Sequence, residues 1–287
     1  MNNKSKSFWL FLAPSLLGMV IVLFIPLVTG AYYSMTDWDG NKIEQFLGLG
    51  NYLQAFQDER FLSSIWFTTK FSIVAILFVN IIGLGLALLV TQKADKLNNL
   101  FRTVFFMPNL IGGIILGFIW QFIFIKAFAA VGDATGIEFF KGWLSTTNTG
   151  FWGLVILFVW QMSGYIMIIY ISFINNIPEE LIEAADIDGA TGWQTFWKIK
   201  FPMLAPAFTV SLFLTLSNAF KIYDQNLALT AGGPFDSTQM VAMNIVNEAF
   251  SVRKMGYAQA KAVIFLVIIA VISVVQISIT RKREVDL

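Results

Sequence analysis

The sequence predicts an all-α integral membrane fold with six transmembrane helices, and three observations carry that expectation. Of its 287 residues, 57% are hydrophobic and only 13% charged, where a soluble globular chain carries about a quarter charged residues. Phenylalanine alone occurs 29 times, more than a water-exposed surface of this size can hide. Finally, six stretches are each apolar over the roughly 20 residues a helix needs to cross a hydrocarbon core.

The stretches fall at roughly 8–30, 68–91, 104–125, 151–174, 203–222 and 259–280. The first follows Lys4 and Lys6 and resembles a signal sequence. Its apolar run is too long for a signal h-region and no clean small-residue cleavage site follows, so it is expected to be a retained helix. Gly83, Gly85, Gly112, Gly113 and Gly117 suit close helix contact, and Asn80 and Gln121 suit interhelical hydrogen bonds. The chain divides into an N-terminal helix with its external loop (1–64) and a five-helix core (65–287).

Six spans place both termini on one side of the membrane. With the N-terminus inside, the inside segments carry Lys4, Lys6, Lys93, Lys96, Arg102, Lys198, Lys200, Arg281, Lys282 and Arg283. The longer outside loops carry only Lys42, Arg60, Lys141, Arg253 and Lys254. Because cytoplasmic loops are enriched in Lys and Arg, both ends are expected in the cytoplasm of a bacterial cell membrane.

Composition also excludes chemistry. The net charge of +1 gives no footprint for nucleic acid. The absence of Cys and His removes disulfides, thiol or imidazole catalysis and Cys/His metal sites. No Gly-Lys dipeptide occurs, so there is no Walker A phosphate loop. No catalytic residue, metal site or cofactor bound by this chain is expected.

The one long inside segment, 175–202, contains Ile177 to Pro202, IPEELIEAADIDGATGWQTFWKIKFP. Pro178 suits a first helical turn, and Glu179 and Glu180 complement the positive end of the helix dipole. Gly189 supplies a helix stop. A second helix is expected from about Gly192 to Ile199, with Trp193, Phe196 and Trp197 on one side and Pro202 ending it. By pattern alone, an amphipathic segment resting on the membrane surface accounts for this equally well.

The order Glu183-Ala184-Ala185, three residues, Gly189, nine residues, Ile199, one residue, Phe201-Pro202 resembles the EAA loop of bacterial ABC importer permeases. The chain departs from that pattern only in Phe201, where Leu is usual. The longer IPEELIEAADIDGA resembles the carbohydrate branch. Arg102 to Pro108, Leu229-Thr230-Ala231-Gly232-Gly233-Pro234 with Ser237-Thr238, and Tyr32-Tyr33-Ser34 leading to Gly48-Leu49-Gly50-Asn51-Tyr52 are similar to the MalF-like member of the permease pair. The resemblance covers essentially the whole chain.

That resemblance implies a type I ABC importer permease without an ATPase site of its own, taking up a sugar, by preference an oligosaccharide, by alternating access. The implied partners are a second permease subunit, two ATPase subunits that use ATP and Mg, an extracellular sugar-binding protein, the sugar and membrane lipid. Glu183, Ala184, Ala185, Asp188, Gly189, Ile199 and Pro202 would form the coupling helix that docks on the ATPase, with Glu183 making a charge-assisted contact and Gly189 the bend.

Polar groups within spans are expensive and seldom idle. Gln161, Gly164 and Tyr165 in the fourth stretch, and Thr215, Asn218, Lys221, Tyr223 and Asp224 at the end of the fifth, fall in regions that line the sugar site in MalF-like permeases. Amides, hydroxyls and aromatics suit a neutral ligand with apolar ring faces and hydroxyl rims. Interhelical hydrogen bonding is the competing explanation, and Lys221 and Asp224 could simply pair. Two other classes compete: an ion-coupled secondary sugar carrier, which would bury carboxylates within its spans, and a membrane glycosyltransferase, which would cluster acidic residues at a membrane face. No carboxylate falls within the six stretches.

Overall fold

A computed structural model describes residues 3–91 and 96–282, so Lys93 and Arg283 of the charge argument lie outside the described residues. The described chain is helical apart from its connections and one isolated antiparallel bridge, Thr36 to Phe46. Among the described residues, five helices are long and apolar enough to cross a membrane: α1 (Phe8–Tyr33), α3 (Glu59–Thr91), α5 (Gly113–Thr135), α6 (Thr147–Ile174) and α12 (Met255–Arg281). A sixth span arises if α8 (Gly192–Met203) and α9 (Ala205–Phe220), bent by 64° at their junction, are taken together. The shorter helices are α2 (Gly50–Gln57), α4 (Lys96–Phe106), α7 (Glu179–Ile187), α10 (Asp224–Leu229) and α11 (Val241–Val246).

Prolines decide where these helices depart from the expected stretches. The third stretch is not one helix. Pro108 sits in a 3-10 turn, Met107–Leu110, then Ile111 turns extended and α5 starts only at Gly113. Two other prolines are preceded by a π-helical turn. Ile25 N–H bonds back to the Val20 carbonyl just before Pro26, and Phe201 N–H bonds to Phe196 just before Pro202. Widening the turn accommodates a residue that has no N–H and whose ring crowds the carbonyl four back. Helix α8 therefore runs through Pro202 to Met203, rather than ending before it.

Contacts divide the chain into two compact units. The larger comprises Ser63–Met243 with Ile268–Leu287. Its centre is α6, which begins with a reciprocal Thr146/Thr149 capping box and has 72% of its most apolar window buried. Phe71, Leu116, Leu154, Phe158, Ile166 and Tyr170 anchor the core around it. Gly83, Gly113 and Gly117 permit close contact as expected: an added Cβ would lie 2.9 Å from Ile166, 2.7 Å from Asp224 Cβ and 2.5 Å from Ala228 Cβ. Gly85 and Gly112 face open space instead.

The smaller unit comprises Met1–Leu62 with Asn244–Val267. Helix α1 carries no charged residue and no residue of its most apolar window is buried, as suits a surface covered by membrane. The segment after it folds back on itself. Asn51 donates to the Ser34 and Thr36 carbonyls at 2.9 and 2.8 Å, and Trp38 stacks on Tyr33. Gly256 is required by a close approach, since a side chain there would enter the Thr36 carbonyl.

The same unit holds a buried cation that the sequence reading left aside. Lys261 is fully buried, with its Nζ 2.8 Å from both Asp58 Oδ2 and Glu248 Oε2 and 3.1 Å from Asn244 Oδ1. It also lies 4.5 Å from the Tyr257 ring centroid, while Tyr257 donates its hydroxyl to Asp58. The other Asp58 oxygen caps α3, accepting from the N–H groups of Arg60 and Phe61. Burial alone would raise the Asp58 pKa; the Lys261 ammonium and the other donors outweigh it and hold the carboxyl below its ordinary value.

Candidate functional site

The 175–202 segment lies within the larger unit as two short helices joined without slack. Helix α7 starts after Pro178 with Glu179 and Glu180 in its first turn. It ends in a Schellman motif: Gly189 N–H bonds to the Asp186 carbonyl at 3.1 Å, and Ala190 N–H to the Ala185 carbonyl at 2.9 Å. Gly189 takes φ +73°, and a Cβ there would meet nothing within 4 Å, so its requirement for glycine is conformational and not spatial. Two residues on, Thr191 opens α8 with a capping box: its hydroxyl accepts from Gln194 N–H, and Gln194 Oε1 accepts from Thr191 N–H.

This arrangement turns one face inward and leaves the other free. Ala185 and Thr195 are buried, while Glu183, Ala184, Asp188 and Gly189 are exposed. Ile199 is half-buried and Pro202 exposed. Ile187 is 86% and Trp193 72% exposed, a large apolar display beside the Glu183 carboxylate.

The polar residues singled out in the spans divide into two groups. Gln161 is engaged inside the chain, donating to the Ile111 carbonyl at 3.3 Å and accepting from Gln225 at 2.9 Å. Thr215 is fully buried and donates to the Ser211 carbonyl. Gly164 faces the turn between α4 and Pro108, where a Cβ would overlap the Phe105 carbonyl. It also lines an apolar groove of about 700 Å³ with Trp120, Trp152 and Trp160.

The second group is more accessible. Tyr165 is half-buried, and its hydroxyl has no hydrogen bond among the described residues. Asn218 is exposed and uses its amide N–H toward the Leu214 carbonyl, and its side-chain oxygen accepts no hydrogen bond among the described residues. Lys221 and Asp224 are exposed and Tyr223 half-buried. Lys221 and Asp224 form no ion pair with each other among the described residues. No hydrogen bond links the side chains of Tyr165, Asn218, Lys221 and Tyr223 to one another among the described residues.

Three polar residues that organise the larger unit were not foreseen. Ser211 on α9 donates to the Tyr170 hydroxyl on α6, which donates in turn to Asn80 Oδ1 on α3, both at 2.9 Å. Asn80 was expected as a packing polar group, and the structure supplies its partner. Gln121 likewise donates to the Leu229 carbonyl. After the fifth span, Asn226 gathers the Thr230–Met240 loop, donating to Thr230 Oγ1 and the Thr238 carbonyl and accepting from Met240 N–H. Tyr170 and Ser211 sit in apolar runs, where a sequence gives no sign of which polar group meets which.

Comparison with known proteins agrees with this architecture. The chain is 56% identical over 293 residues, covering 100% of both sequences, to the probable starch degradation products transport system permease protein AmyD of Thermoanaerobacterium thermosulfurigenes. It is 34% identical to the multiple sugar-binding transport system permease protein MsmF of Streptococcus mutans, over 96% of each chain. Its fold matches a chain from the crystal structure of a bacterial alginate ABC transporter in complex with alginate pentasaccharide-bound periplasmic protein, with a TM-score of 0.85 at 20% identity, covering 97% of this chain and 95% of that one. Residues 80–285 match the family model for the binding-protein-dependent transport system inner membrane component. The chain therefore belongs to that family: it is a membrane-spanning permease subunit of an ABC transporter.

Proposed function

We propose that this subunit imports an oligosaccharide released from starch, and that the α7–α8 segment couples its movement to ATP hydrolysis on a separate subunit. The observation that carries the coupling half is the double capping of α7 and α8. A Schellman stop followed at once by a capping box makes the pair one stiff body, with Glu183, Ile187 and Trp193 turned out toward a partner. The sugar half rests on the full-length likeness to a permease named for starch degradation products.

In this reading the assembly contains a second permease, two ATPase subunits that use ATP and Mg, and an extracellular sugar-binding protein. Both termini and the α7–α8 segment face the cytoplasm. Tyr165, Asn218, Lys221, Tyr223 and Asp224 offer groups to the sugar, while Gln161, Gly164 and Thr215 hold the helices that present them. Tyr165 supplies a ring face and a free hydroxyl, and Asn218 an amide oxygen.

Radiolabelled uptake tests the proposal directly. A strain lacking this gene and complemented with it should accumulate linear α-glucan oligosaccharides, in competition with the same unlabelled sugars, and lose uptake when ATP is depleted. Uptake that survives ATP depletion would refute the coupling, and accumulation of unrelated sugars alone would refute the substrate. Topology is read separately. Cysteines at Ser145 and Phe235, both exposed, should react with an impermeant thiol reagent from outside, and one at Thr191 only after permeabilisation.

A further inference from the structure

We propose that α2 lies in the membrane surface as an interfacial helix, with Leu49, Leu53 and Phe56 set at the boundary between lipid headgroups and acyl chains. Helix α2 has eight residues, too few to be stable alone in water. It is held in one orientation by the Asn51 amide on the Ser34 and Thr36 carbonyls, and by the Tyr52 hydroxyl bonded to Ser34 Oγ. Asn51 and Ala55 are buried beneath it.

The opposite side carries the wrong residues for water. Leu49, Leu53 and Phe56 are 64%, 65% and 59% exposed. At about 100° per residue they fall within an arc of about 60°, and exposed Gln57 and Gln54 follow on one side of it, about 40° and about 100° beyond its edge. A helix lying on a soluble core shows its polar side outward. This one shows an uncharged apolar stripe with the exposed amides to one side of it, the pattern of a helix lying in a membrane interface.

Chain connectivity indicates lipid as the occupant. Helix α2 lies between the end of the membrane-crossing α1, at Tyr33, and the start of α3, at Glu59, with Asp58 alone separating α2 from α3. Its height is therefore tied to the membrane boundary. The exposed apolar surface also continues between the elements: Val28 and Tyr32 on α1 are exposed, and the Tyr32 ring lies 6.5 Å from that of Phe46, itself 65% exposed three residues before Leu49. The stripe contains no Lys or Arg, so the attraction is apolar and independent of anionic lipid.

Spin labels test this in the assembled importer, since the native chain has no cysteine. Labels at Leu49, Leu53 and Phe56, with Gln54 and Gln57 as references, would be measured in nanodiscs of phosphatidylethanolamine and phosphatidylglycerol. Collision rates with oxygen and with a water-soluble nickel chelate report depth. The three stripe positions should favour oxygen several-fold relative to the two glutamines, and removal of phosphatidylglycerol should leave the pattern unchanged. Equal access of the nickel chelate to all five positions would overturn the proposal. Shielding of the stripe from both reagents would overturn it too, because a protein would then be the occupant.

Discussion

Replacing Lys261 with methionine tests the ion cluster of the smaller unit most directly. The side chains are of similar length, so the stem is retained while the charge is lost. Asp58 and Glu248, 21% and 16% exposed, would then face each other without the cation that lies 2.8 Å from each. Removing one partner of a buried ion pair costs about 3–5 kcal/mol. Asp58 keeps its cap on α3 and the Tyr257 hydroxyl, so the loss falls mainly on Glu248 and belongs at the lower end of that range. At about 2–4 °C per kcal/mol, a loss of about 3 kcal/mol lowers the apparent unfolding midpoint by about 6–12 °C. The assay is the fraction of monodisperse complex remaining after heating in detergent. Adding Asp58→Asn and Glu248→Gln to the methionine variant removes all three charges and should recover at least half of the loss. A lone Lys261→Met variant within about 2 °C of the parent would refute the argument. The pH dependence has a definite sign: Asp58 has a lowered folded pKa, so the stability it lends is present above its unfolded value of about 3.9 and lost as pH falls through the folded one. The midpoint should be flat from pH 8 to about 5 and drop below about 4, with a smaller drop in Asp58→Asn.

Other substitutions separate coupling, packing and sugar contact. Gly189→Val forces a β-branched residue to φ +73°, at a cost of about 1–2 kcal/mol, whereas Gly189→Asn tolerates that conformation; uptake should fall severalfold in the first and little in the second, and equal uptake in both would remove the conformational role. Gly164→Ala drives a methyl into the Phe105 backbone, an overpacking cost at the upper end of about 1–3 kcal/mol; the amount of assembled complex should fall while sugar preference among survivors is unchanged, and a changed preference would contradict this. Tyr165→Ala and Asn218→Ala should each weaken uptake by about 1–3 kcal/mol of lost ligand interaction with assembly intact, as judged by apparent Km across a sugar panel; unchanged Km in both would exclude them from the site.

The fold was legible because lipid imposes a coarse and strong rule. A run such as 151–174 has few stable alternatives to a buried helix, and the structure places it at the centre of the larger unit. Helix breaks were harder to read. Pro108 was visible, yet an apolar window counts residues and does not register a missing N–H, so a span was drawn across the 3-10 turn. The helix–turn–helix shape of 175–202 was readable for the opposite reason: Gly189, Thr191 and Gln194 act through local backbone bonds whose partners lie within five residues. Tyr170, Ser211 and Lys261 were invisible because their partners lie 13 to 203 positions away along the chain. A lone lysine in an apolar run signals that it needs a partner without naming one.

The larger unit joins its stiffest and most yielding parts in a particular order. Helices α7 and α8 share consecutive caps, so neither can turn without the other. Within α8 the regular helix then gives way to the π turn at Phe196–Lys200, followed by the 64° bend at Leu204, a fully buried residue whose N–H is shared between the Lys200 and Phe201 carbonyls. Beyond the bend, α9 is tied to α6 and α3 by the Ser211–Tyr170–Asn80 relay, buried where water cannot substitute for a broken bond. Displacement of α7 and the first turn of α8 therefore reaches the π turn and the bend first and the three-helix clamp second. On the proposed reading, small displacements are absorbed at the π turn, and only those large enough to exhaust it move α9 together with α6 and α3.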